Sequence, residues 1–525
     1  MSKTSEMAKV SAKGGFHLFW GLVISSAISA IGAIIIARLL SPSEYGLYSI
    51  ALTAPSLIAM FRDWGINSAL VRYTCQYKAE NKTANVRDIL AAGLVFETVT
   101  GSALSIGLFM MSGFVASNVF QRPGITPLIQ IMSFMILADA LMVALRAAFT
   151  GLEKQVPNSL ILICQSTVKM LLVSTLVILG HGAYGATVGT VISALTATLI
   201  GALLAWRIYK NLPRTDSGEE RRGISENIRL MFRYGLPLSI SAILSGFLLQ
   251  FYNFLVVIYA SDTAMGNYSV ASNVIVPITF FATPIATMLF PAFSKLNPQK
   301  ERESLQNVFQ YSIKYAALIV VPVATAIMVL SQPAVSTLFG GQYVEAPLYL
   351  ALLAINYLYT AFGSLSTGNL INGQGETKLN LKLGLINIAV GLPLSIVLIP
   401  RFGIIGLIST SLVAGLPSLI VALSWIRTNY KVSMNVISSA KILLSSLIAA
   451  IATTLILSQL SFNSWMKLII GIAVFLPTFL LSILLTRTID GSDISNLREM
   501  TSGLGPLSKM LDLFLNIFEE FSTRL

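Results

Sequence analysis

The chain has 525 residues, of which 55% are hydrophobic and only 11% charged. A soluble domain carries roughly 25% charged residues; a water-soluble core cannot absorb this much apolar sequence, so the composition predicts a polytopic membrane protein. The net charge of +12 is read as basic loops beside anionic headgroups and not as a nucleic-acid surface.

In chain order, Lys3, Lys9 and Lys13 precede an apolar run from Phe16 to Ala37. That run is too long for a signal-peptide core and long enough to span, so it is kept as the first helix. Spanning runs are expected near 16–38, 45–63, 89–113, 127–149, 157–180 and 184–206. Six more fall near 230–258, 268–292, 309–331, 347–366, 380–399 and 403–426, and two near 438–458 and 465–486. The polar run Tyr209–Asn227 separates two hydrophobic halves, and Pro213 and Gly218 within it discourage one continuous helix. The expected organisation is a six-helix lobe (1–208), a cytoplasmic linker (209–228), a second six-helix lobe (229–430), helices 13 and 14 (431–490) and an amphipathic cytoplasmic tail (491–525). In the tail, Leu507, Met510, Leu511, Leu513, Phe514 and Phe518 alternate with Lys509, Asp512, Glu519 and Glu520 at helical spacing.

Lysine and arginine test the count. Of the 35, 29 fall on the side of the N-terminus when fourteen crossings are drawn. Only Arg38, Arg122, Arg401 and Lys467 fall outside, and Arg62 and Lys169 lie within or at the end of apolar runs. One helix missed or invented would swap every later loop, so the bias predicts both termini in the cytoplasm.

The halves repeat faintly. Gly46-Leu47-Tyr48-Ser49-Ile50-Ala51 returns as Gly266-Asn267-Tyr268-Ser269-Val270-Ala271, and Ser117-Asn118-Val119-Phe120 as Ser336-Thr337-Leu338-Phe339. Gly151 matches Gly373, and Gly182-x-x-Gly185 matches Gly403-x-x-Gly406, all at nearly one offset. Convergent membrane turns would explain any single match. Six crossings between equivalent positions give the halves one orientation, which predicts pseudo-symmetry about the membrane normal and a cavity between the bundles.

Polar residues at membrane depth are costly and face a cavity or a partner. The first half carries Arg62 and Asp63 near the inner end of the second run, then Glu97, Asp139, Arg146, Gln165 and Lys169; Arg72 follows the second run. The second half holds mainly Gln250, Asn253, Asn356 and Asn387, with Lys314 near an inner end. Asp139 and Lys169 each lie about 12 residues, roughly 18 Å, from a helix end. They could form a buried structural pair or line a cavity. Arg62, Arg72 and Arg146 sit near the inner interface, where they could snorkel to headgroups or bind phosphate.

Catalysis has little support. His17 and His181 are isolated, Cys75 and Cys164 are too separated for a metal site, and no Walker A motif is present. Gly373-Gln374-Gly375-Glu376 lacks the strand a phosphate loop needs. No cofactor and no metal are expected.

Two stretches carry a resemblance. Ala37-Arg38-Leu39-Leu40-Ser41-Pro42-Ser43-Glu44-Tyr45-Gly46-Leu47-Tyr48 resembles the first-turn signature of polysaccharide and oligosaccharide-lipid flippases. These belong to the multidrug/oligosaccharidyl-lipid/polysaccharide exporter superfamily. Asp63-Trp64-Gly65-Ile66-Asn67-Ser68-Ala69-Leu70-Val71-Arg72 is similar to the family's Asp-x-Gly segment. The resemblance spans about residues 10–486 and implies transport without chemistry in the plasma membrane, two lobes rocking to pass a lipid-linked glycan headgroup outward. The inventory of polar residues at depth supplies Arg62, Arg146, Lys169 and Arg72 as phosphate candidates and Asp63, Glu97, Asp139, Gln165, Gln250 and Asn253 as polar cavity candidates. Membrane lipids and glycan-assembly enzymes are the expected partners, with a monomer as the working state. The rival readings are a cation-coupled small-molecule exporter of the same superfamily and a membrane-embedded glycan polymerase or transferase. The absence of a large outer loop argues against the latter.

Overall fold

The computed structural model describes residues 3–211 and 223–489, together with Asp493, Ser495 and Arg498. Most of the expected linker and tail, including the apolar spacing from Leu507 to Phe518, lies outside the described residues.

Every regular element is helical. In order they are α1 (Lys3–Leu39), α2 (Pro42–Ala59), α3 (Ile66–Ala79), α4 (Thr83–Phe114), α5 (Thr126–Gly151), α6 (Gln155–Leu176), α7 (Gly182–Lys210) and α8 (Ile224–Tyr259). Then follow α9 (Asp262–Ser294), α10 (Arg302–Val329), α11 (Ser331–Phe339), α12 (Ala346–Leu358), α13 (Ser364–Gly373), α14 (Thr377–Asn429), α15 (Val436–Ser458) and α16 (Ser464–Leu485). Among the described residues nine helical runs are long and apolar enough to cross a membrane, or ten if the bent pair Ala346–Phe362 and Ser364–Gly373 is one span. This is an all-helical polytopic membrane protein.

The first signature stretch has a local reason. Ser41 is the N-cap of α2 and Pro42 opens the helix. Ser41 Oγ accepts from the Glu44 backbone N–H at 3.3 Å, and the Ser41 N–H donates to Glu44 Oε2 at 3.0 Å. This reciprocal capping box stops α1 at the residues that start α2.

The second apolar run departs from expectation. It predicted a helix through residue 63, but α2 ends at Ala59 and Arg62 and Asp63 lie in a turn. Trp64 (φ 48°) and Gly65 (φ 76°) take left-handed conformations, which no continuing helix tolerates. At the expected breaks near residues 182 and 403, the repeat-matched glycines share an unusual backbone: Gly182 at φ 49°, ψ −137° and Gly403 at φ 55°, ψ −124°. That region is essentially open only to glycine.

The chain divides into two compact units, residues 1–269 with 395–407, and 270–394 with 408–525. In the first, α1 lies along α6, α5 packs against α4 and α7, and α8 packs on α3 and α4. Its apolar clusters centre on Ile66, Leu70, Ile89 and Met231, and on Leu145, Phe149 and Ile161. In the second, α10 is central, packing against α12 and α15, while α16 covers α11 and α15. Phe293, Leu305, Phe309, Leu370 and Ile426 form one of its cores.

Candidate functional site

The polar groups expected at depth in the first unit are brought together in two networks and one pair of loosely related charges. The first network is built on the α2–α3 turn. Asp63 Oδ1 accepts from the Asn67 backbone N–H at 3.0 Å and from Asn67 Nδ2 at 2.8 Å, closing the turn that Gly65 makes possible. Asn67 Nδ2 also donates to Glu97 Oε1 on α4 at 2.7 Å. Glu97 Oε2 then lies 3.3 Å from Arg62 Nε, with the Arg62 side chain 7% exposed and that of Glu97 0%. Asp63-x-Gly65-x-Asn67 is therefore a device that holds one carboxylate and one amide under a buried arginine. Arg62 reaches no headgroup by snorkelling; its charge is answered inside the bundle.

The second network fixes Arg146 on α5. Its Nε donates to Asn158 Oδ1 at 2.8 Å, and Asn158 is buried at the start of α6. Asn158 Nδ2 in turn reaches Gln155 Oε1 at 3.2 Å. Among the described residues only neutral groups hold this guanidinium.

Between these networks stand Asp139 on α5 and Lys169 on α6, both half-buried. Asp139 feels the charges of Arg62 and Lys169, yet among the described residues it forms no ion pair, and neither does Lys169. The Lys169 ammonium lies 6.0 Å from the centre of the Tyr48 ring, within range of its negative face. Tyr48 is held by a 2.8 Å hydrogen bond to Thr190 on α7. Gln165, one turn before Lys169 on α6, is half-buried.

The remaining expected residues lie elsewhere. Arg72 is exposed on α3 and stacks over Tyr234 at 4.2 Å and Tyr73 at 5.5 Å. Gln250 and Asn253 sit on α8, which compactness assigns to the first unit although the repeat places it in the second half. Gln250 Oε1 is buried and, among the described residues, accepts no hydrogen bond. Lys314, the cation near an inner end in the second half, is bound to the buried Asp493 carboxylate, to which Tyr315 Oη also donates at 3.3 Å. Asn67, Asn158 and Asp493 are partners that the sequence reading did not single out.

The second unit offers a cavity of different character. About 390 Å3 in volume, it is lined by Asn356, Tyr357, Tyr359, Thr360, Thr367 and Ser418 among others, none of them charged. The bend at Gly363 (φ 83°) between α12 and α13 exposes this polar wall, and the buried Thr367 hydroxyl has no partner.

The profile of a family described as polysaccharide biosynthesis protein matches residues 35–348. The chain belongs to this family. The resemblance drawn from the two signature stretches is borne out. Among relatives, this chain is 21% identical to a probable low-salt glycan biosynthesis flippase of Haloferax volcanii over 75% of this chain and 79% of the relative. It is 26% identical to a succinoglycan biosynthesis transport protein of Rhizobium meliloti over 61% of each. In fold it is similar to a lipid II flippase solved in an inward closed conformation, with a TM-score of 0.71, 16% identity, and 90% of this chain and 98% of the other covered. An inward-facing multidrug resistance transporter of the MATE family superposes at a TM-score of 0.61 with 16% identity, covering 79% of this chain and 98% of the other. For a member of the polysaccharide biosynthesis protein family, Lys169, which forms no ion pair among the described residues and lies over the Tyr48 ring, becomes the group to explain.

Proposed function

We propose that this chain is an alternating-access flippase that carries a lipid-linked oligosaccharide or polysaccharide precursor from the cytoplasmic to the outer leaflet of the plasma membrane. A polyprenyl phosphate headgroup is anionic and hydroxyl-rich and cannot cross hydrocarbon unaided. The observation that carries the proposal is the placement of cations at depth. Among the described residues Lys169 forms no ion pair, Arg146 is held by neutral groups only, and Arg62 sits over one carboxylate. Lys314 is bound to Asp493. The phosphate is therefore assigned to the first lobe, with Lys169 as its principal cation and Arg146 and Arg62 in support. The uncharged cavity around Asn356 and Thr367 suits neutral sugar hydroxyls. The protein performs no chemical step in this reading, and lipid-linked glycan and bilayer lipid are its partners.

Fourteen crossings with both termini cytoplasmic remain part of the proposal. Breaks at Gly180–Gly182 and Gly403 divide two of the long apolar runs. α2, the partly apolar α8 and the bent pair supply the other crossings. A cysteine at Ser217 is expected to label only from the cytoplasm and one at Ala183 only from outside; same-side labelling would break the count.

The functional test is transport of one lipid-linked glycan in proteoliposomes by folded variants. Lys169→Gln should weaken headgroup binding by about 1.5–3 kcal/mol, the scale of a charge-assisted hydrogen bond. Normal glycan transport by Lys169→Gln, Arg146→Gln and Arg62→Gln alike would sink the phosphate assignment. Cation-coupled efflux of small organic cations, with no glycan flipping, would establish the rival exporter.

A further inference from the structure

We infer that one end of the first unit holds an anionic phospholipid of the surrounding bilayer, its phosphate in a basic pocket and one acyl chain in an apolar groove that opens from it. The pocket, about 390 Å3, lies where the α3–α4 loop, the α5–α6 turn and the end of α7 meet; Lys78, Asn81, Thr83, Lys154, Arg207 and Asn211 line it. The groove, about 410 Å3, runs between α4, α5 and α7 past Leu94, Leu141, Leu145, Ala202 and Ala205. Leu152 and Ile208 belong to the walls of both, so the two adjoin.

Charge decides the headgroup. Lys78 is paired with Glu153 at 2.5 Å, and Lys82 nearby with Glu80 at 2.6 Å. Among the described residues Lys154 and Arg207 form no ion pair, so two positive charges face the pocket uncompensated. α4 begins at the same wall with no side-chain cap, adding the positive end of its dipole. A phosphodiester fits this field; a zwitterion gains less from it.

Depth decides the rest. From Ile208 to Thr198 the groove follows ten residues of α7, about 15 Å of helix. That is half of a hydrocarbon core of about 30 Å, the thickness of one leaflet. The hydroxyls along it ask for nothing: Thr98 Oγ1 donates to Leu94 O at 2.6 Å and Thr198 Oγ1 to Ala138 O at 3.0 Å. Trp206 and Tyr209 line its mouth, where amphipathic rings favour the headgroup level, and Arg87 stacks 4.2 Å from the Tyr209 ring. None of Arg62, Asp139, Arg146 or Lys169 lines either cavity, so the site is separate from the proposed transport path.

The test is native mass spectrometry of the full chain exchanged into nanodiscs of phosphatidylglycerol and phosphatidylcholine in equal parts. The wild type should retain one phosphatidylglycerol with clear preference. Lys154→Gln/Arg207→Gln should lower that preference about thirtyfold, two cations each worth about fivefold near an anionic surface. Ala202→Trp, a change on an exposed face of α7, should fill the groove and abolish retention; Ala205→Leu serves if that variant fails to fold. Glycerol phosphate, which lacks the chain, should not compete. Unchanged preference in the charge variant, unchanged retention in a folded groove variant, or full competition by glycerol phosphate would each overturn the inference.

Discussion

A methyl group on Gly46 is predicted to shift the balance between transport states. Gly46 at the start of α2 meets the start of α9 so closely that a Cβ there would lie 3.0 Å from the Gly266 backbone nitrogen and closer still to the Asp262 carbonyl oxygen. Both neighbours are backbone, so no side chain can swing away. Overpacking of this kind costs about 1–3 kcal/mol. On the proposed lobe division the two helices belong to different lobes, and their outer ends must part when the cavity opens outward. The penalty then falls on one state only, and Gly46→Ala should lower its population about 5- to 150-fold relative to the other. A reporter is built in: Ser269 Oγ donates to Ser49 Oγ at 2.7 Å, so Ser49→Cys/Ser269→Cys, in a chain with Cys75 and Cys164 replaced by Ala, should oxidise readily to a disulfide. In wild-type background the crosslink should stop transport and its reduction should restore it. With Gly46→Ala the crosslinking rate should fall by the same factor as the population. Crosslinking at the unaltered rate, or transport by the crosslinked protein, would refute the reasoning.

Glu97→Gln should destabilise the protein by about 3–5 kcal/mol, because it leaves Arg62 buried without a counter-charge. Two unit charges at the observed 3.3 Å interact by about 5 kcal/mol at an effective dielectric of about 20. Thermal unfolding in detergent should show this, and Arg62→Leu/Glu97→Leu should recover most of it. Asp139→Asn and Lys169→Gln should couple by less than about 1 kcal/mol in a double-mutant cycle, since no contact pair joins them; a coupling as large as that of Arg62 and Glu97 would contradict the geometry. Arg122 donates to Asp262 at 2.6 Å and to the carbonyls of Phe120, Val257 and Ala260. Arg122→Gln should cost about 1.5–3 kcal/mol, with only partial rescue by Arg122→Lys, read by the same unfolding measurement.

Helical class and membrane location were legible because run length and low charge are properties of composition, which survives any folding detail. The breaks were legible too, since Ser41-Pro42 and the matched glycines 182 and 403 act through local backbone preference. The partners were not. Arg62 and Glu97 are 35 positions apart in the sequence, and nothing in hydrophobic periodicity says that the turn after α2 will face the middle of α4. Equal depth predicts an Asp139–Lys169 pair, but depth fixes only one of three coordinates, and among the described residues the two form no ion pair. Asn67 lies beyond the second apolar run (45–63), so a search for polar residues at membrane depth passes over it. Asp493 falls in the expected amphipathic tail (491–525), yet its carboxylate is buried against Lys314.

Gly46 crowds the Asp262 carbonyl while Gly266 crowds the Pro42 carbonyl, and Ser49 meets Ser269, its counterpart 220 residues on. Each residue touches the copy of itself or of its neighbour's partner, which is the mark of an isologous interface between identical subunits. In a homodimer a substitution at such a seam acts twice; in a single chain Gly46 and Gly266 can be replaced one at a time, so each side of the seam can be probed by itself.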